Sequence, residues 1–258
     1  MKTLDCESLS STYKSLEFIL GLTKHELQQI FDSTDIPGRV SDSADPAKEL
    51  FSYIERQTHC QAEFDATCWF HCTRTWPSNT FDIGLLPLDQ VIDKIWNFLF
   101  DLTKGQITSQ QWADFKHSIE SSNSHWADLY RMKLANAKLH GGPHALLIRE
   151  AAIEAAKSSM YWNYFEIPEI VYDISECCPY RIDLKHEFVT KTAPCIVKFR
   201  DDRAEIGPLR GALIYVYHKH RNLDLLPASN CCFPGEGIRI PNDGSFKVEF
   251  LPEGINSH

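Results

Sequence analysis

The stretch Ala66–Leu88, ATCWFHCTRTWPSNTFDIGLLPL, constrains the fold more tightly than any other part of the chain. It sets a β-favouring run, a polar strand end, a turn and a helix start next to one another. Cys68, Trp69 and Phe70 predict a short buried strand that delivers His71, Thr73 and Arg74 at its C-terminal end. Pro77, Ser78 and Asn79 mark a turn, and Ile83-Gly84-Leu85-Leu86-Pro87 reads as a tight connection into a helix. Polar groups at a strand end are where ligands bind on many folds. The competing reading makes His71 a hydrogen-bonded core residue.

The sequence on either side reads as helical. Leu16, Phe18, Ile19 and Leu20 form an apolar cluster, and Thr23 with Glu26 has capping-box spacing ahead of Leu27, Ile30 and Phe31. Pro37-Gly38 predicts a stop. Asp45-Pro46 predicts the next start, with Asp as N-cap and Pro at the first helical position. Leu88, Val91, Ile92, Ile95, Leu99 and Leu102 recur with helical period up to Lys104-Gly105. Thr108 with Gln111 opens a helix bearing Trp112, Phe115 and Ile119, and a further helix bears Trp126, Leu129, Tyr130 and Leu134. Four of the six tryptophans (Trp69, Trp76, Trp96, Trp112) fall in this part of the chain, which predicts dense packing around the site region.

A second informative segment is His140-Gly141-Gly142-Pro143-His144, followed by an apolar run and the Ala-rich stretch Glu150 to Lys157. Two glycines and a proline permit close backbone approach and suit a pocket lining; a plain loop before a helix fits the same residues. Tyr161, Trp162, Tyr164 and Phe165 form an aromatic cluster, and Pro168 opens a short piece through Ile174. From Ala193 the pattern becomes β. Strands are expected over Cys195–Phe199, Gly211–Tyr217, Ile238–Ile240 and Phe246–Leu251. The fold class is α+β, helices early and strands late.

Composition narrows the function classes. Forty-three per cent hydrophobic and 24% charged residues are ordinary for a globular protein, and no apolar run is long enough for a bilayer crossing. The polar start MKTLDCESLSSTYK lacks the apolar segment of a secretory signal, so a cytoplasmic location is expected. A formal charge of −9 argues against a chain whose whole surface binds nucleic acid, although Arg200, Arg203, Arg210 and the run His218–Arg221 concentrate positive charge late. Nine scattered cysteines do not form a disulfide framework. Cys60, Cys68, His71 and Cys72 lie close together, but strand alternation turns His71 away from Cys68 and Cys72, so no metal ligand is assigned. Gly141-Gly142-Pro143 has neither the ending of a P-loop nor dinucleotide spacing.

Three blocks then carry a resemblance. Phe70-His71-Cys72-Thr73-Arg74 with Ile83-Gly84-Leu85-Leu86-Pro87 resembles the first block of the diphtheria-toxin-like and poly(ADP-ribose)-polymerase-like ADP-ribosyltransferases. There a strand ends in His-x-Thr and an Ile-x-x-Gly-Leu-x-Pro segment follows. His140 to Lys157 resembles the middle block, and Pro234-Gly235-Glu236-Gly237-Ile238-Arg239-Ile240-Pro241 resembles the last, in which a glutamate opens a strand. The resemblance implies a split β-sheet core over 63–258 with a helical insertion, a helical N-terminal extension over 1–62, and NAD as substrate. It implies Glu236 as catalytic carboxylate, with Glu249 as runner-up, and His71 on a ribose hydroxyl. Thr73 would support that contact, Cys72 would offer its backbone to nicotinamide where many members carry glycine, and Arg74 would meet the pyrophosphate. His144 or Tyr161 would supply the stacking ring, because the middle block has no clear tyrosine. Many stand-alone members are toxins or defence effectors. A toxin or antiphage role follows from that, with a protein, DNA or RNA acceptor, a neutralising antitoxin or partner protein, and no membrane. Two alternatives stand beside it: a non-catalytic, zinc-stabilised binding module, and an NAD-dependent RNA 2′-phosphotransferase-like enzyme.

Overall fold

The computed structural model describes residues 1–36, 45–155, 162–225 and 230–252. The Pro37-Gly38 stop, Lys157 and Tyr161 lie outside the described residues. In chain order the elements are β1 (Thr3–Leu4), α1 (Leu9–Leu20), α2 (Lys24–Asp32), α3 (Pro46–Thr58), β2 (Ala66–Thr75), α4 (Leu88–Leu102), α5 (Ser109–Ser121) and α6 (His125–Ala135). There follow α7 (Ala137–His140), β3 (Ala145–Leu146), α8 (Arg149–Ala155), α9 (Glu169–Glu176), α10 (Leu184–Lys191), β4 (Ala193–Asp201), α11 (Ile206–Arg221), β5 (Cys232–Phe233) and β6 (Lys247–Phe250). The class is α+β. Strands occur in order β5-β3-β2-β4-β6, with β1 beside β2. Pairing is parallel for β1 with β2 and antiparallel for β2 with β3 and β3 with β5. Helices and short strands interleave along the chain, so the expected order of helices first and strands last is corrected.

The chain forms two compact units, neither of them contiguous. One comprises Met1–Phe70, Ala145–Glu154 and Lys198–Phe233, so the N-terminal helices expected as an extension share a unit with later segments. Local rules place its helices: Thr23 and Glu26 form the capping box of α2, and the Asp45 carboxylate caps α3 ahead of Pro46. Gly211–Tyr217, expected as a strand, lies within the helix α11. The run is buried on every side, so it lacks the polar stripe that distinguishes a helix period from a strand. What marks it as helical lies at its ends. Pro208 sits in the first turn, the basic residues His218–Arg221 complement the helix dipole in the last, and Asn222 closes it in a left-handed conformation. The Tyr217 hydroxyl accepts from Ile36 N at 3.1 Å and donates to Thr34 O at 3.2 Å, while its ring meets Phe31 edge-on.

The other unit comprises His71–His144, Ala155–Val197 and Pro234–His258. Its apolar centre is a helical cluster of Trp96, Leu99, Trp112, Phe115, Tyr130, Ile174, Phe188 and their neighbours. Trp96 packs edge-on against Trp112, Phe115 and Tyr130 and donates its Nε1–H to the Tyr130 hydroxyl at 2.9 Å. The tryptophan-rich segment is therefore divided: Trp96 and Trp112 form this core, and Trp76 is exposed on Phe98. Among the described residues no helix is long and apolar enough to cross a membrane.

Candidate functional site

Parts of all three blocks, His71–Arg74 with Ile83–Pro87, His140–His144 and Pro234–Pro241, lie in this second unit. Leu85 and Ile240 exchange backbone hydrogen bonds of 2.9 Å in both directions, an isolated antiparallel bridge joining the first block to the last. Gly84 makes the approach possible, since a Cβ there would lie 2.1 Å from the Ile240 carbonyl oxygen. The middle block joins both others: Leu88 N donates to Gly141 O at 2.8 Å and Gly237 N to Gly142 O at 3.1 Å. Gly235 lies against the same backbone. Arg239 Nε donates to Ile83 O at 3.0 Å across the bridge.

The C-terminal half of β2 supplies the polar strand end. His71 and Thr73 are half-buried while Cys72 and Arg74 are buried, as alternation along a strand requires. His71 and Thr73 therefore share one face. The ring of His71 donates from Nδ1 to the His144 carbonyl oxygen at 2.6 Å, which fixes the tautomer because a carbonyl only accepts. Burial pushes the His71 pKa below its ordinary value, the His144 carbonyl bond opposes that, and the His144 ring adds to the lowering. A neutral ring protonated at Nδ1 presents Nε2 as an acceptor. Such a group suits a ligand hydroxyl.

Arg74 has a different place from the one expected. It is 5% exposed and spends its guanidinium inside the unit: Nε on Thr192 Oγ1 (2.9 Å), Nη1 on Phe165 O (3.1 Å), and Nη2 on Val189 O (2.7 Å) and Thr192 O (2.9 Å). A guanidinium so committed to α10 and its surroundings is a core tie, not a pyrophosphate clamp, and the expected wall of His71, Thr73 and Arg74 is corrected to His71 and Thr73. The buried Cys72 side chain faces away with Arg74, which leaves only its backbone for a ligand contact.

Glu236 does not open a strand. Ile238–Ile240 contributes one bridge, and Glu236 sits in an exposed turn with φ 51°, between Gly235 at φ 68° and Gly237 at φ 69°. A non-glycine residue in the left-handed region costs about 1–2 kcal/mol, so this turn is held by its surroundings. Glu249 lies on β6 and is exposed. The His144 side chain is exposed, with its carbonyl turned to His71. Sequence reasoning anticipated close approach at Gly141-Gly142 but missed that Gly235 is the opposing surface there and that Gly84 lies against Ile240–Asn242; Pro234-Gly235 beside the glutamate was the available signal.

The other chemistries weighed have weaker footing. Among the described residues no group of three or more His, Cys, Asp and Glu side chains is disposed to hold a metal ion. Burial raises the thiols of Cys68 and Cys231 to about 11 and Cys195 to about 12, the opposite of activation. A cavity of about 690 Å³ lies in the first unit, lined by residues including Lys48, Ser52, Tyr53 and Arg56, and contains no residue of the three blocks. No family model, curated protein or solved structure matches the chain.

Proposed function

We propose that this chain is an NAD-dependent ADP-ribosyltransferase that transfers a single ADP-ribose to a macromolecular acceptor. The observation that carries the reading is the convergence of the three blocks, tied through Leu85–Ile240, Gly142–Gly237 and His71–His144. They are far apart in sequence, so chain neighbourhood does not bring them together.

In this reading His71 Nε2 accepts from a ribose hydroxyl, Thr73 supports the same face of the strand, and the Cys72 backbone meets nicotinamide. Glu236 stabilises the oxocarbenium-like ribose as the bond to nicotinamide breaks. Nicotinamide leaves with the bonding electron pair, and the acceptor's nucleophile adds to the same carbon and gives up its proton. Glu236 is exposed on its turn, where ribose and acceptor can both approach it. His144 is the stacking candidate among the described residues. The toxin or antiphage role, and a partner that neutralises it, belong to the same proposal.

The test is nicotinamide release from NAD by the purified chain with protein, DNA and RNA acceptors. Release that falls at least about a hundredfold in Glu236→Ala, the scale of a lost electrostatic stabiliser, is expected. No release from the wild-type chain with any acceptor, or equal release from the variant, would overturn the reading.

A further inference from the structure

We infer that Gly235 is a positioning residue: its contact with the Gly142–Pro143 backbone sets the carbonyl that fixes the His71 ring, so the turn bearing Glu236 and the imidazole are aligned as one unit. This deepens the transferase reading and rests on it for its catalytic meaning, though the coupling itself is independent of any ligand.

The geometry is a chain of backbone contacts. A Cβ on Gly235 would lie 2.4 Å from Pro143 O, 2.5 Å from Gly142 C and 2.8 Å from Gly142 O, so any side chain there must displace the segment. One turn further on, Gly237 N holds Gly142 O at 3.1 Å. Leu88 N holds the neighbouring Gly141 O at 2.8 Å. Segment 141–144 is thus gripped by the start of α4 and by the glutamate turn. Its next carbonyl but one, His144 O, takes the Nδ1–H of His71 at 2.6 Å. Hydrogen bonds of this length weaken steeply when the acceptor moves. A shift of the segment therefore frees the imidazole to exchange tautomers and to lose its Nε2 acceptor role.

Gly244 provides the matched control. Its φ of 90° makes alanine strained there too, but a Cβ would meet nothing within 4 Å. Long-range proton–nitrogen NMR of histidine-labelled protein, with His71 assigned from His71→Asn, reads the tautomer directly. Wild type and Gly244→Ala are expected to hold His71 protonated at Nδ1. Gly235→Ala is expected to show averaged tautomers and, with the raising effect of the His144 carbonyl bond lost, a titration moved further down. A folded Gly235→Ala with an unchanged His71, or the same change in Gly244→Ala, would overturn the inference. Should Gly235→Ala not fold, hydrogen exchange in the wild type decides: Gly237 N–H, Leu88 N–H and His71 Nδ1–H must open together, and protections differing by more than about tenfold would overturn it. Neither measurement uses NAD, so a chain that releases no nicotinamide can still show the coupling, and the two failures are told apart.

Discussion

His71 donates from Nδ1 to the backbone carbonyl of His144, 73 residues away in sequence, at 2.6 Å. That bond ties a strand end to a glycine-rich segment, and the glutamate turn rests on the same segment through Gly235 and Gly237. The consequences are testable without knowing the acceptor.

The ionisation of His71 links stability to pH. Its folded pKa lies below the ordinary value of 6.5, so below that value the unfolded chain binds the proton more readily and stability falls as pH drops. The contribution is complete above the ordinary histidine range and lost progressively beneath it. His71→Asn keeps an N–H donor without titrating. Urea unfolding between pH 7 and pH 5 is expected to weaken the wild type more than the variant; parallel curves would contradict the assignment.

Arg74 is expected to matter for folding. Arg74→Met strands the Phe165, Val189 and Thr192 carbonyls that it now satisfies, at a cost of about 3–5 kcal/mol. Arg74→Lys cannot reproduce the fork and should fall between. Equilibrium denaturation measures both, and a loss under about 1 kcal/mol for Arg74→Met would return the residue to a surface role.

Glu236 should show opposed effects on stability and activity. With φ at 51°, glycine fits this position better than any L-residue. Glu236→Gly is expected to be about 1 kcal/mol more stable than Glu236→Ala, while both lose nicotinamide release. Comparing the two variants removes whatever the carboxylate itself contributes. Equal stabilities would mean the turn relaxes when the side chain goes.

Gly84 tests the bridge between the first and last blocks. A Cβ 2.1 Å from Ile240 O cannot be accommodated, so Gly84→Ala is expected to cost about 2–4 kcal/mol. Gly105→Ala, at φ 75° with nothing within 4 Å, should cost only about 1 kcal/mol for the backbone alone. Thermal unfolding of the pair separates clash from conformational strain.

The sequence by itself determined the features that depend on neighbours three or four residues apart. The capping boxes at Thr23 and Thr108 and the Asp45-Pro46 start depend on side chains bonding their own local backbone, and the turn at Pro77-Ser78 closes on a local bond from Asn79 N to Trp76 O. Tertiary structure alone decided the rest. Gly211–Tyr217 is apolar at every position and buried throughout, so no period is legible within the run, and the helix shows only at its ends, in Pro208 and in His218 to Asn222. Arg74 read as a ligand group because its strand end was polar; the carbonyls that claim it belong to residues 165–192, a pairing no local pattern records. Glu236 read as the start of a strand, yet the glycines on either side adopt left-handed backbone and one of them lies against Gly142–Pro143. The three blocks could be picked out singly from sequence, but their meeting depends on non-local hydrogen bonds and close backbone approach, which exist only once the chain has packed.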